Sequence, residues 1–275
     1  MLKQRIITAL ILIPLVLWLV LFASHSLFSQ AMILVVSLAA YEWAMLCGLK
    51  KRGQIVFSLL MLVALYVVWR FMLHENLPLA IYAAITVLWF LMTFYLVAKR
   101  SAIKQSQTIN YFQLLLGVIL LAAAWVSVVN LHNIEKHGSM LVMFLLLLIW
   151  TADTAAYFSG HKFGKHKLSP YVSPGKTWEG VIGAFIAVAI LGFFMAGYEF
   201  FSLLNPVLLS AVGIAVAAVS VGGDLFESKI KRERGVKDSG NLLPGHGGVY
   251  DRIDSLIAAA PVYLLGIMMI SGGTL

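Results

Sequence analysis

Of 275 residues, 61% are apolar and 12% charged, against roughly half and a quarter in an average soluble domain, which excludes disorder and makes a soluble globular fold a poor fit. The apolar share, about 168 residues, is enough for about eight or nine membrane helices at roughly 20 residues per crossing. A formal charge of +8 would suggest nucleic acid in a soluble chain; in a membrane chain it orients helices and meets anionic head groups or phosphates, with no nucleic-acid partner expected.

Nine apolar stretches follow one another at 6–23, 27–46, 55–73, 77–97, 111–131, 140–158, 181–200, 206–226 and 253–270. The first follows Lys3 and Arg5 and has only a weak small-residue cleavage pattern at 23–26, so it reads as a retained helix. With a cytoplasmic N-terminus, 18 of the 20 basic residues fall in inside segments and only Arg70 and Lys136 fall outside. A miscounted helix would destroy that bias. The expected fold is an all-α polytopic integral membrane protein with about nine transmembrane helices. Residues 1–140 would form about five N-terminal spans, and 141–275 a catalytic region of about four, with cytoplasmic loops at 159–180 and 227–252. Cys47, the single cysteine, excludes an intrachain disulfide and a multi-cysteine metal site.

Ionisable residues at membrane depth are costly and face a cavity or a partner, so the acids can be sorted. Glu75, Glu135, Glu199, Glu233 and Asp238 fall in loops and read as solvated. Glu42, between Tyr41 and Trp43, reads as interfacial. Glu179 and Glu227 flank the two long loops. Asp153 and Tyr157 share a face of the sixth span, where Asp153 would line a cavity or pair with a loop cation.

Asp224 and Ser228 share a helical face at the end of the eighth span, and Asp251 and Asp254 share one where the ninth begins. If these helices pack as an antiparallel pair, three carboxylates and a hydroxyl converge. Such oxygen donors suit Mg²⁺, which takes its other ligands from water and substrate phosphate. Asp251 and Asp254 equally suit capping of the ninth helix. Lys229, Lys231, Arg232, Arg234 and Lys237 lie between the two groups of acids, as a polyphosphate site requires.

The same loop ends in Gly245-His246-Gly247-Gly248; its glycines let backbone N–H groups approach an anion, and His246 is a candidate phosphate donor or a plain turn residue. In the other loop, Gly175-Lys176-Thr177 invites a P-loop reading, which fails because position 170 is Pro and no strand is expected before it. Lys176 remains a candidate phosphate ligand at a helix start, with Ser173 or Thr177 as ligand or cap and Glu179 in the first turn.

Residues 228–254, SKIKRERGVKDSGNLLPGHGGVYDRID, resemble without detectable departure the signature of phosphatidate cytidylyltransferases, the CDP-diacylglycerol synthases. Residues 153–157 and 173–180 resemble that family too, while residues 1–140 match only as an apolar multi-span region. The resemblance implies that CTP and phosphatidate give CDP-diacylglycerol and pyrophosphate, with Mg²⁺ and a possible K⁺ beside it. It implies a homodimer in a bacterial inner membrane with its site on the cytoplasmic face, and metal acids at Asp224, Asp251 and Asp254 with Ser228 close by. Lys176, Lys231, Arg232, Lys237 and Arg252 would then bind the triphosphate and leaving pyrophosphate. A transporter would carry a repeat and midplane breaks, and an alcohol phosphotransferase an Asp-Gly-x-x-Ala-Arg pattern; neither is found.

Overall fold

A computed structural model describes residues 2–72, 78–99, 101–198, 201 and 204–272, with the side chains of 2, 3, 5 and 72 left aside. Glu75, Arg100, Glu199 and the side chains of Lys3 and Arg5 lie outside the described residues. The described residues form nine helices: α1 Leu2–Leu21, α2 His25–Leu46, α3 Lys51–Met72, α4 Leu79–Ala98, α5 Tyr111–Asn133, α6 Gly138–Phe163, α7 Trp178–Met195, α8 Pro206–Arg234 and α9 Tyr250–Ile270. Eight are long and apolar enough to cross a membrane, and α1 adds the shorter apolar stretch Ile6–Leu21. This is an all-α polytopic membrane fold, one helix per predicted stretch.

Two boundaries differ from expectation. Helix α6 runs to Phe163 and α8 to Arg234, while α9 begins at Tyr250. The long loops expected at 159–180 and 227–252 therefore shrink to 164–177 and 235–249. The reason is that hydrogen bonding continues past the apolar stretch. Lys231, Arg232 and Arg234 in the last turn of α8 complement the helix dipole, and Gly235, at φ +75°, supplies the left-handed C-cap that ends it.

The expectation of no strand near Lys176 is also corrected. Strands β1, Lys167–Ser169, and β2, Ser173–Thr177, pair antiparallel in a small hairpin, with Lys167 opposite Thr177 and Ser169 opposite Ser173. Pro170 and Pro174 disfavour helix here, and Trp178 N–H closes the unit on the His166 carbonyl at 2.9 Å.

Cross-connections place alternate helix ends together. Asn110 N–H donates to the Cys47 carbonyl at 3.0 Å and Ser106 N–H to the Glu233 carbonyl at 2.8 Å. Ser169 Oγ donates to the Leu96 carbonyl at 3.0 Å, and Thr8 Oγ1 to the Pro244 carbonyl at 2.9 Å. These bonds link the ends of α2, α4 and α8 to the connectors before α5 and α7, and α1 through Thr8 to the connector before α9, as an odd-numbered alternating bundle requires. Beneath them lies an aromatic core. Trp43 sits 5.7 Å from Phe226 and 5.3 Å from Tyr250, and its Nε1–H donates to the Gln113 carbonyl at 3.0 Å. Without a hydrophobic drive between helices in lipid, close contact depends on small residues. At Gly223 an added Cβ would lie 2.6 Å from the Asp254 carbonyl oxygen, so glycine is what lets α8 and α9 touch.

Candidate active site

Asp224, Glu227, Ser228 and Lys231 occupy one face of α8 at i, i+3, i+4 and i+7. Opposite them α9 presents Asp251 and Asp254. One carboxylate oxygen each from Asp224, Glu227 and Asp254 lies within 4.8 Å of the others, the arrangement that could hold a metal ion. Asp251 stands apart from that trio. Its Oδ1 accepts from Lys231 Nζ at 2.9 Å, and Oδ2 from Ser239 N–H at 3.0 Å and Gly248 N–H at 2.8 Å. Lys231 also pairs with Glu227 Oε2 at 3.0 Å, so one half-buried ammonium joins the two acidic groups.

Lys176 reaches the trio from β2, with Nζ 2.5 Å from Asp224 Oδ2 and 3.4 Å from the Val221 carbonyl. The two segments singled out in the sequence therefore meet in one site. Thr177 caps α7, its Oγ1 accepting from Gly180 N–H at 3.2 Å; Ser173 stays in the hairpin register opposite Ser169. Glu179 binds His166, whose Nδ1 lies 2.6 Å from Oε1, and so holds the turn before β1. Asp153 is exposed on α6 within electrostatic reach of Asp224 and Lys176, and Tyr157 is exposed one turn on, stacked 6.1 Å from His161.

The expected ring of cations divides by task. Lys229 pairs with Glu233 at 2.6 Å, and Glu233 also accepts from Gln113 at 2.7 Å; Glu233, expected to be solvated, is instead partly buried on α8. Arg234 donates to the carbonyls of Leu46 and Thr108 and to Gln107, tying α8 to the segment before α5. Arg252 donates through Nε and Nη2 to the His246 carbonyl at 3.0 and 2.8 Å. The guanidinium expected on substrate thus braces the glycine turn. Arg232 and Lys237 are exposed and enter no ion pair among the described residues.

That turn is built for close backbone approach. Leu243 N–H donates to the Gly247 carbonyl and His246 N–H to the Leu243 carbonyl, both at 2.9 Å. Gly247 has φ +81°, and an added Cβ there would lie 2.6 Å from Asp251 Oδ2. His246 Nδ1 is buried without a hydrogen-bond partner among the described residues.

The sequence assigns no catalytic or binding role to two residues that the structure places close to the acids, Glu227 and Glu42. Glu227 had a signal, its spacing of three from Asp224 and four from Lys231. Glu42 had none, since its partners Ser239 and Tyr250 lie 197 and 208 residues away.

The donor set fits a hard divalent cation. Among the described residues Asp224, Glu227 and Asp251 pair only with Lys176 and Lys231 and Asp254 joins no ion pair, so the four acids when ionised outnumber their cations by two, and Glu227 Oε1 is buried without a hydrogen-bond partner there. A lone buried carboxylate oxygen among other acids is costly until a cation or proton meets it.

Comparison with known proteins agrees in scope with this placement. The model of the cytidylyltransferase family matches residues 3–270. The chain is 40% identical to the phosphatidate cytidylyltransferase of Pseudomonas aeruginosa over 273 residues, 96% of each chain. It is 35% identical to that of Haemophilus influenzae over 281 residues, 96% of this chain and 97% of the relative. A phosphatidate cytidylyltransferase of Brucella suis matches at 42% over 159 residues, about half of each chain. With its match spanning residues 3–270 and two relatives aligned along nearly their full length, this chain belongs to the cytidylyltransferase family.

Proposed function

We propose that this protein transfers the cytidylyl group of CTP to phosphatidate, giving CDP-diacylglycerol and pyrophosphate. The observation that carries the reading is the charge arrangement of the site: a cluster of three acids that outnumbers its cations, with Lys176 reaching into it from the other conspicuous segment. A polyphosphate reaction needs both halves.

Phosphatidate brings its own nucleophile, a phosphate oxygen that bonds to the α-phosphorus of CTP while the α–β bridging bond breaks and pyrophosphate leaves. The protein therefore has to position and neutralise rather than supply a nucleophile. Asp224, Glu227 and Asp254 would hold Mg²⁺, with Asp251 in a supporting place because its oxygens are already engaged. When bound, the ion neutralises phosphate oxygens and polarises the reacting phosphorus. A monovalent cation such as K⁺ would find the hydroxyl of Ser228 on the same helical face as Asp224.

Lys176 has a further N–H beyond its contacts with Asp224 and Val221 and directs it at a phosphate oxygen. Arg232 and Lys237 neutralise the departing pyrophosphate. The Gly247 turn and His246 line the phosphate path, and Lys231 keeps Glu227 and Asp251 at fixed separation. The acyl chains remain in the bilayer. We further propose a homodimer in a bacterial inner membrane with the site on the cytoplasmic side, a reading supported by the placement of 18 of 20 basic residues. Residues 141–275 supply the chemistry in this reading, and 1–140 the support.

The test is incubation of the purified protein in lipid micelles with phosphatidate and CTP labelled at the α-phosphate. Label is expected in a lipid that co-migrates with CDP-diacylglycerol. Release of label as soluble CMP alone would contradict the reading.

A further inference from the structure

Helices α2, α5, α7 and α8 each start on a residue whose own side chain caps them: Ser24, Asn110, Thr177 and Asn205. Helix α9 does not, because its N-cap is Val249, which makes no side-chain cap. Glu42, near the end of α2, takes that place from outside. Its Oε2 accepts from Tyr250 N–H at 2.8 Å and from Ser239 Oγ at 3.1 Å.

Glu42 is 1% exposed and enters no ion pair among the described residues. A buried carboxylate without a cation is costly, and the first-turn N–H of α9 and its helix dipole offset only part of that. The surroundings are shaped to it. A Cβ at position 240 or 248 would overlap the Glu42 carboxylate oxygens, so Gly240 and Gly248 are what let the loop close over it. Adjacent Trp43 packs against Phe226 of α8 and Tyr250 of α9, which fixes the end of α2 against both catalytic helices.

The segment gripped in this way is the one next to the chemistry. Ser239 and Gly248 donate their backbone N–H groups to Asp251, while the Ser239 hydroxyl and Tyr250 N–H go to Glu42. Two acids from different helices thus hold residues 239–250 between them, and Asp254 follows one turn into α9.

We propose that Glu42 is a positioning residue that sets the 239–250 loop and the first turn of α9 for cytidylyl transfer; the assignment rests on the function proposed above. It touches no substrate and acts through Ser239 and Tyr250. A displacement of about 1 Å at a reacting centre costs about 10²-fold in rate, whereas substrate groups held elsewhere keep their affinity.

The test uses purified full-length protein with two readouts, steady-state kinetics and amide hydrogen exchange. Glu42→Ala is expected to lower kcat by about ten- to a hundredfold with KM for CTP changed less than about threefold, and to speed exchange in residues 236–254 while other segments stay as in wild type. Glu42→Gln, which keeps an acceptor oxygen, is expected to fall between wild type and Ala. Ser239→Ala, which removes one of the two bonds, is expected to do the same, and these two variants decide the matter if Glu42→Ala does not fold. Unchanged exchange in 236–254, or a kcat per folded molecule equal to wild type, would overturn the assignment. Failure of the wild-type protein to form CDP-lipid would instead sink the proposed function, and the exchange readout would still decide whether Glu42 holds the loop.

Discussion

Lys231 is the side chain on which both acidic groups depend, because its ammonium contacts Glu227 and Asp251 at about the same distance. Lys231→Met would leave two carboxylates facing each other without their shared cation, at a cost of about 3–5 kcal/mol. Thermal unfolding should show it as a large drop in midpoint, and an unchanged midpoint would mean that the bridge is not formed. Lys176 sits differently, at the rim, and Lys176→Ala should unfold like wild type while losing about 10²-fold in kcat/KM for CTP. Asp224 and Asp254 were legible from helical spacing together with antiparallel packing of α8 and α9, since i and i+3 or i+4 positions on a helix share a face. The engagement of Asp251 was not, because it depends on where a loop backbone twelve residues earlier points its N–H. Glu42 was illegible for the same reason at greater range.

At the scale of elements, apolar runs located all nine helices, because in lipid every backbone group must be satisfied within the segment. They did not locate the helix ends facing the site. The mostly polar segment from Glu227 to Arg234 continues the hydrogen-bond ladder of α8 that hydropathy ends at 226, and the hairpin at 167–177 has too few residues for any periodicity. The close seam between α8 and α9 depends on Gly223. Gly223→Ala places a methyl group against the Asp254 carbonyl oxygen and Ala258, both of them fixed in α9. That substitution should widen the seam and depress kcat with CTP, whereas Gly175→Ala, with open space around its Cβ position, should leave turnover unchanged. Cys47 caps α2 inside the bundle, and burial pushes its thiol up to about 12. Since the thiolate is the reactive form, a maleimide should label Cys47 at neutral pH only after denaturation; rapid labelling of the folded protein would show the end of α2 to be looser than its packing implies.

At the scale of the molecule, the apolar bulk and the few charges serve a single end of the bundle. The starts of α1, α5, α7 and α9 and the ends of α2, α4, α6 and α8 converge there, and helices from the N-terminal half reach the loop that the C-terminal half uses. Thr8 holds Pro244 and Glu42 holds Ser239 and Tyr250. The first two helices, which composition alone marks only as apolar spans, therefore brace the site. The excess of positive charge reads differently once distributed: Lys229, Lys231 and Arg234 are engaged within the protein, while Arg232 and Lys237 are exposed outside any ion pair among the described residues and, with Lys176, are the cations proposed for phosphate. Above all, Asp224, Glu227 and Asp254 are proposed to hold a divalent cation together. Binding of Mn²⁺ to the purified protein, followed by electron paramagnetic resonance, tests it without turnover. Wild type is expected to bind the ion, and Glu227→Gln and Asp254→Asn each to weaken binding by about tenfold or more; wild-type-like Mn²⁺ affinity in both variants would contradict the account.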